Sequence, residues 1–531
     1  MEENKISRSK LIKGAIAIIA VLVIAIGLFV FAGESKTTFK KLKGTPDEVL
    51  VAAFSNTDTK CADEQAEMDV RLGRTQANKL LSKTANEMNF NLVLQGISGG
   101  DNTAYLNTSI LNAYIKDMGL SGRIQSTNDY QKVNGDLKLT QSGMELLEVS
   151  VYKEADEVGI SIPRILDAPY AIKTSDWMQD YKESELYQLI GGEEISEEDF
   201  NEVIDVFSAF REYMTGAASL AENEAYMQQV KELQAQFVKD AKIVEKGKEK
   251  ITLLDGQETQ WQVYSGTLSG KELIDFLNKQ VELVMSLDFA QNYFEIMAEQ
   301  SGYTVDEMLE EMKMTLEEDS TATVDIDFLV DDTYFRGFRL GINEEQERIM
   351  DISMQYTGGE YLLDGICVNI VALDEEESGI IDVTFNQNLG EKTDAYYQNL
   401  EVSMDTEGAE EVNIGYTYEY NKQMKEDNLK VGLDIVVENM NLINYIATGR
   451  KTVNDQEVTT NLSNASVTIQ DETESYTLDF GLGYGIKAID ASDIVIEKTG
   501  VKYLLEMTEA DLLKTLQSIR TNIQSFTYGL I

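Results

Sequence analysis

Apolar residues recur at every second position through much of this chain. After residue 321 the runs are Val324, Ile326, Phe328 and Val330; Phe338, Leu340 and Ile342; Met350, Ile352, Met354 and Tyr356; and Leu362, Ile366, Val368 and Ile370. They continue through Ile381, Val383 and Phe385; Leu400, Val402 and Met404; Val412, Ile414, Tyr416, Tyr418 and Tyr420; Leu429 to Val437; and Tyr476 to Ile486. A period of two puts alternate side chains on opposite faces of a strand, so each run predicts a strand with one dry and one wet face. Clusters of Gly, Asp, Asn and Glu between the runs suit turns, and one-sided strands in succession predict an antiparallel meander. An earlier set of the same period comprises Met68, Val70 and Leu72; Phe90, Leu92 and Leu94; Leu147, Val149 and Val151; and Val158, Ile160 and Ile162.

Helix starts are marked by a Ser or Thr followed three residues later by an acid. Such a pair satisfies backbone N–H groups of the first turn reciprocally. Thr45 precedes Pro46 and Glu48, and the same logic recurs at Ser196 to Asp199, Ser219 to Glu222, Ser269 to Glu272, Thr304 to Glu307 and Thr508 to Asp511. Four of these lie between residues 196 and 320, which predicts a helical segment there. The expected fold class is α+β: an N-terminal transmembrane helix, then large antiparallel meander sheets curled around a helical segment. The boundaries read as a tail over 1–10, an anchor over 11–33, a first sheet lobe with an opening helix over 34–195, the helical segment over 196–320, the large meander over 321–486 and a C-terminal segment with a helix over 487–531. Two sheet lobes and one continuous sheet both remain open.

Residues 14–33 carry no charge and are dominated by Ile, Val, Ala, Leu and Phe. As a helix rising about 1.5 Å per residue they reach about 30 Å, the thickness of a bilayer's hydrocarbon layer. This predicts a single membrane span, with the bilayer as a partner through residues 14–33. A cleaved signal peptide is the competing reading, with a small-x-small site at Val30, Phe31 and Ala32, but the run exceeds the usual signal core. Lys5, Arg8, Lys10 and Lys13 before it are matched by Lys36, Lys40, Lys41 and Lys43 after it. A short charged tail ahead of a first apolar segment favours a cytoplasmic N-terminus and an extracytoplasmic body at the cell membrane.

Charge sharpens that picture. The 531 residues include 45 Lys and Arg against 93 Asp and Glu, a net charge of −48. Of these, residues 1–43 hold eight basic and three acidic groups, so the body beyond them is more acidic still and is repelled by anionic headgroups. Nucleic acid is excluded as a partner, because its phosphates need clustered cations. No histidine is present, which removes imidazole bases, histidine metal ligands and Ser-His-Asp relays. Two cysteines cannot build a zinc ribbon or an iron–sulfur site.

Candidate chemistry is sparse. The glycines of residues 480–485 alternate with Leu482 and Tyr484 and read as the outer face of a strand, since no helix start follows to offer N–H groups to a phosphate. Gly390 to Thr393 lacks phosphate-loop spacing. Acidic clusters at Glu193–Asp199, Glu317–Asp319 and Asp374–Glu377 lack calcium-loop spacing, whereas Asp325, Asp327, Asp331 and Asp332 form a slightly better oxygen fan. They are weak calcium candidates beside the reading of a solvated surface. Among 93 carboxyl groups no glycosidase pair stands out. Trp177 and Trp261 read as sugar platforms if exposed and as core residues if not. The one Ser-x-x-Lys match, Ser7 to Lys10, lies in the tail. Cys61 and Cys367 either form a disulfide, worth about 2–4 kcal/mol, or remain thiols. No catalytic or cofactor-binding residue is assigned, and no cofactor is expected.

The apolar span, the His-free acidic body, the opening Thr45–Leu50 helix start and the strand-then-proline unit of residues 158–167 together resemble a large group of uncharacterised membrane-anchored surface proteins of clostridia-type Gram-positive bacteria. At the level of architecture, a long meander curled around helices resembles the lipoprotein carriers LolA and LppX, and that resemblance implies sheltering of an acyl chain on a concave sheet. This chain is over twice the usual carrier size. The expected function is non-enzymatic: a membrane-anchored extracytoplasmic protein that binds a lipid, envelope component or partner protein in a sheet/helix cleft. A structural or adhesive surface protein without a pocket is the alternative, and a carboxylate-based cell-wall hydrolase a third.

Overall fold

The computed structural model describes residues 39–99, 108–191, 224–253, 256–285, 322–344, 347–373, 378–391, 393–406, 411–438, 440–470 and 474–530. In chain order these form α1 (Pro46–Leu72), α2 (Arg74–Leu81), β1 (Ala85–Gly99), α3 (Thr108–Ile115), β2 (Met118–Thr127), β3 (Lys132–Gln141), β4 (Met144–Glu154), β5 (Glu157–Ser161) and β6 (Tyr170–Lys173). Then come α4 (Trp177–Glu183), α5 (Glu185–Leu189), α6 (Glu224–Asp240), β7 (Val244–Thr252), β8 (Glu258–Ser269), α7 (Gly270–Met285), β9 (Thr323–Val330), β10 (Phe335–Glu344), β11 (Glu347–Tyr356) and β12 (Gly365–Leu373). The chain ends with β13 (Ser378–Gln387), β14 (Ala395–Thr406), β15 (Val412–Asn421), β16 (Leu429–Val437), β17 (Met440–Val453), β18 (Glu457–Gln470), β19 (Ser475–Ala488), β20 (Lys502–Tyr503) and α8 (Glu509–Leu530). Two compact units divide the described chain: residues 39–71, 224–418 and 434–438, and residues 72–191, 419–433 and 440–530.

The first unit is a meander in which β7 through β14 pair antiparallel in sequence order. Register aligns its apolar residues into rows that cross the strands. One row runs Tyr264, Phe328, Phe338, Met354, Val368, Val383 and Val402; the next runs Ile326, Leu340, Ile352, Ile370, Ile381 and Met404. Leu50, Ala53 and Phe54 of α1, Val238 of α6 and Leu273 of α7 cover this face and complete the main core. Each large side chain buried there contributes about 1.5–3 kcal/mol by leaving water. The start of α7 is a reciprocal cap: Ser269 N–H donates to Glu272 Oε2 at 2.7 Å, and Glu272 N–H donates to Ser269 Oγ at 3.2 Å. At α1, Thr45 N–H donates to Glu48 Oε2 at 2.9 Å.

Helix α1 is 27 residues long, and its second half is held by polar side chains. Asn56 Nδ2 donates to Thr333 O and Thr57 Oγ1 to Phe335 O, both at 2.9 Å, in the β9–β10 turn. Glu64, buried, accepts from the N–H groups of Leu362 and Leu363 at 3.0 and 2.8 Å, in the β11–β12 connection. Arg71 Nη2 donates to Leu389 O and Glu391 O at 2.9 and 3.1 Å, in the β13–β14 connection. These anchors are seven or eight residues apart along the helix, about 10–12 Å at its rise. Successive hairpin ends along a sheet are two strands apart, about 9.5 Å. The two spacings match, so one straight helix meets three consecutive turns.

Several expectations are corrected here. Strand outweighs helix, 51% against 27%, so the expected architecture of large meander sheets curled around a helical segment does not hold. Within the described residues the expected helical segment contains β7 and β8. The last strands of the expected large meander, β18 and β19, pair onward to β1 of the expected first lobe. Met68, Val70 and Leu72 lie in α1, not in a strand. The expected N-terminal transmembrane helix is not supported: no helix among the described residues is long and apolar enough to cross a membrane, and residues 14–33 lie outside them. The helix starts at Ser196, Ser219 and Thr304 and the three acidic clusters also lie outside the described residues. The helix expected near the C-terminus is α8, where Asp511 N–H donates to Thr508 Oγ1.

Replacing Glu64 with Ala strands two buried N–H groups, at about 1–3 kcal/mol each. Glu64→Ala is expected to lower the urea midpoint of unfolding markedly, with Glu64→Gln, which keeps one acceptor, falling between it and the wild type.

Candidate functional site

The second unit orders its strands β17, β18, β19, β1, β2, β3, β4, β5, β6 and β20, antiparallel except for the last pair. Its two faces differ sharply. On one, Lys138 pairs with Glu148 at 2.6 Å, Lys487 with Glu87 at 3.0 Å, and Arg123 with Asp136. On the other, register lines up Leu462, Leu482, Leu92, Leu120, Leu139 and Leu147 on six neighbouring strands, a leucine row about 24 Å long at the usual strand spacing. Beside it runs the row Thr460, Tyr484, Phe90, Gly122, Leu137 and Val149, and beyond that the row Val453, Val458, Ile486, Met88, Ile124, Gly135, Val151 and Ile160.

This apolar face is open in a way the first unit's is not. Tyr484 is 51% exposed, Leu137 43%, Phe90 39% and Leu120 36%. A contiguous exposed patch of large apolar side chains marks a surface that binds something. Phe90 lies flat across its neighbour: a side chain at Gly122 would meet the Phe90 ring at 2.2 Å. Glycine at 122 therefore lets the aromatic ring spread over the sheet.

At one margin of the face stands Lys451, directly opposite Thr460 in the row that contains Tyr484 and Phe90. Asn428 clamps its backbone: Lys451 N–H donates to Asn428 Oδ1 at 2.6 Å, and Asn428 Nδ2 donates to Lys451 O at 2.9 Å. The Lys451 ammonium lies 5.5 Å from the centre of the Tyr420 ring, a cation–π distance. Burial, reinforced by the nearby Arg74 guanidinium, pushes its pKa from 10.5 down to about 8. Arg74 opens α2, and the preceding residue, Gly73, packs on Val453 and Val458 of the same face.

The residues singled out in the sequence have other roles. Asp325 accepts from Thr267 Oγ1, Asn343 Nδ2 and Arg348 Nη1 at 3.3, 3.0 and 3.4 Å. Asp327 accepts from Ser265 and from Lys246 Nζ, the latter at 3.4 Å. Asp331 caps its own turn, accepting from the N–H groups of Thr333 and Tyr334, and accepts from Arg336 Nε, all at 2.6 Å. Asp332 is exposed beside it. The four carboxylates thus do not converge, and no group of three or more acidic or thiol side chains able to hold a metal occurs among the described residues. Trp177 and Trp261 are buried, so neither is a sugar platform. The glycines of residues 480–485 lie in β19.

Cys61 and Cys367 are both free thiols. Cys61 packs with Met354 and Tyr356 on the covered face of the first sheet. Cys367 alternates with Ile366 and Val368 and stands on the reverse face, so the sheet separates them. Burial, with Glu64 and Asp58 nearby, pushes the Cys61 thiol well up, which makes it a poor nucleophile.

Beside Cys61, Asp58 is buried and its Oδ2 has no hydrogen-bond partner. Burial raises its pKa from 3.8 to about 7, against the pull of Lys231. Sequence reasoning missed this group, and Lys451 as well. An Asp in a polar helix and a Lys in a strand look like surface residues until the packing around them is known. No family model matches the chain, and no curated protein matches it.

Since folding favours the protonated Asp58, the native state holds more protons than the unfolded chain between pH 3.8 and about 7. Its contribution to stability is therefore lost as pH rises through that window. Asp58→Asn is expected to match the wild type near pH 4 and to exceed it by a few kcal/mol near pH 8, at about 1.4 kcal/mol per pKa unit; urea titrations at the two pH values measure the difference.

Proposed function

We propose that this is a non-enzymatic binding protein that works outside the cytosol at the cell membrane and holds the acyl chain of a lipid against the apolar face of its second unit. The observation that carries the reading is the open leucine row: apolar side chains on six adjacent strands, flanked by exposed Phe90, Leu137 and Tyr484. Leaving such a surface in water costs about 25 cal/mol for each Å², and an acyl chain laid along the row recovers that cost. The reverse face is polar and ion-paired, so apolar binding is confined to one side. The extracytoplasmic location is proposed from the amino-acid sequence alone, since residues 14–33 lie outside the described residues.

Leu120 lies in the row and is exposed, so a charge there disturbs the fold little and the face greatly. Native mass spectrometry of the full chain purified from its own cells is expected to show a bound lipid mass that Leu120→Glu loses. A wild-type chain free of lipid and unable to take up an added long-chain alcohol would refute the reading, as would capture of a protein in place of lipid. Protease added to intact cells is expected to digest the body without prior lysis.

A further inference from the structure

Two buried polar groups without partners lie on the facing sides of helices that cover the first sheet. Phe54 of α1 and Val238 of α6 share one core cluster. A groove between the helices is lined by Asp47, Glu48, Val51 and Ala52 of α1 and by Ala235 and Lys239 of α6, whereas Lys231 acts on Asp58, so the two run antiparallel. One turn on from Phe54 and from Val238 stand Asp58 and Gln234, 6% and 7% exposed. Asp58 Oδ2 and Gln234 Nε2 have no hydrogen-bond partner. The helices are fastened unequally. Helix α1 is tied to three strand connections through Asn56, Thr57, Glu64 and Arg71. Helix α6 turns Gln228 and Gln236 onto its own Glu232 and Asp240 and meets the core through Phe237 and Val238. Its C-terminal end is held: Ala241 O accepts from Thr267 N–H of β8 at 3.2 Å, and Lys242, at φ 49°, turns the chain out of the helix. We propose that α6 is a proton-operated latch, which stays down on α1 while Asp58 carries a proton and lifts its first half about the 241–243 turn when that proton leaves.

The surroundings of Asp58 give a carboxylate little support. Cys61 and Glu64 belong to its own helix, Tyr356 to β11, Arg336 to β10 and Lys231 to α6. Burial keeps the Cys61 thiol and the Tyr356 phenol neutral. Glu64 is taken by the N–H groups of Leu362 and Leu363, and Arg336 by Asp331 and Gly359 O. Of the surrounding charges, that of Lys231 is the one that draws the Asp58 pKa down, and Lys231 is exposed, where water and salt screen it. A buried carboxylate with an undonated oxygen is costly, so burial holds the proton on Asp58 up to about pH 7, against an ordinary value of 3.8. Lifting the first half of α6 wets Asp58 and frees the Gln234 amide in one local opening, for which the tied α1 has no equivalent. The closed form binds the proton more tightly than the open one. Closure is therefore complete at low pH, and opening grows as pH rises from 3.8 to about 7 and levels off beyond it.

Hydrogen exchange of the full chain, read by mass spectrometry and corrected for the intrinsic pH dependence of amide exchange, tests the latch. One proton released per opening predicts that protection of residues 228–236 falls about tenfold for each pH unit between pH 5 and 6.5, while α1 and β11 keep theirs. Asp58→Asn is expected to abolish that slope and to hold α6 down throughout. Lys231→Glu, a change at the surface, is expected to carry the slope to higher pH by removing the one favourable charge; it keeps the test decisive if Asp58→Asn alters folding. Protection of α6 that does not vary with pH, or a slope that survives Asp58→Asn, overturns the proposal. An equal loss in α1, α6 and β11 overturns it as well, because the whole unit would then be unfolding. The readout lies within the first unit and needs no ligand, so its outcome is separate from that of the lipid reading.

Discussion

The first unit depends on one geometric match, between the rise of a helix and the spacing of strands. Two turns of α1 advance about as far as two strands of a sheet are wide. Residues 56–57, 64 and 71 therefore reach the β9–β10, β11–β12 and β13–β14 connections in turn. Glu64 is the most demanding of these anchors, because a carboxylate taken out of water must be repaid by donors. It receives the N–H groups of Leu362 and Leu363, and Lys60 lies 3.1 Å from it. With the helix held along the hairpin ends, its first half lays Leu50, Ala53 and Phe54 onto the sheet.

The two units apply the same strand chemistry to different ends. Both alternate apolar and polar residues, and both align their apolar residues in rows across the strands. In the first unit the rows are closed under α1, α6 and α7, and Ile352, Ile326 and Phe328 are almost wholly buried. In the second, the equivalent face leaves Phe90, Leu120, Leu137 and Tyr484 exposed. A sheet that is dry on one side asks for a cover, which α1, α6 and α7 supply in the first unit. One unit buries its apolar face under helices, and the other leaves part of it in contact with water.

Legibility in the sequence followed the regularity of the backbone. Strands β9 to β13 keep strict alternation over their central residues, and Val324, Ile326 and Phe328 announce their own faces. Strand β18 escaped because its ladder is irregular between Leu462 and Ala465, which moves the apolar set from even to odd positions. The same irregularity interrupts the ladder to β17 between Thr448 and Gly449, where the extra residue again lies on β18. Strand β8 is apolar on both sides, with Tyr264 and Leu268 in the main core and Trp261 and Val263 in a cluster on the reverse face, so no period of two appears. Strand β7 is largely charged. The second half of α1 was opaque for the opposite reason: its buried residues include Asn56, Thr57, Asp58, Thr59, Glu64 and Gln65, with Cys61 and Leu72 as scattered apolar ones, and no apolar stripe marks the buried side of such a helix.

The amino-acid order alone determined the one-sided strands, the capped starts of α1, α7 and α8, the absence of imidazole chemistry and the strong negative charge, because each of these is a property of near neighbours or of composition. Only the tertiary structure decided which strands meet, that Cys61 and Cys367 stand on opposite faces of one sheet, that Asp325, Asp327 and Asp331 are taken up by separate donors, and that the Lys451 ammonium rests over the Tyr420 ring. Those outcomes rest on pairings between residues tens to hundreds of positions apart. Register between distant strands follows from the packing of the whole unit, and no local pattern encodes it.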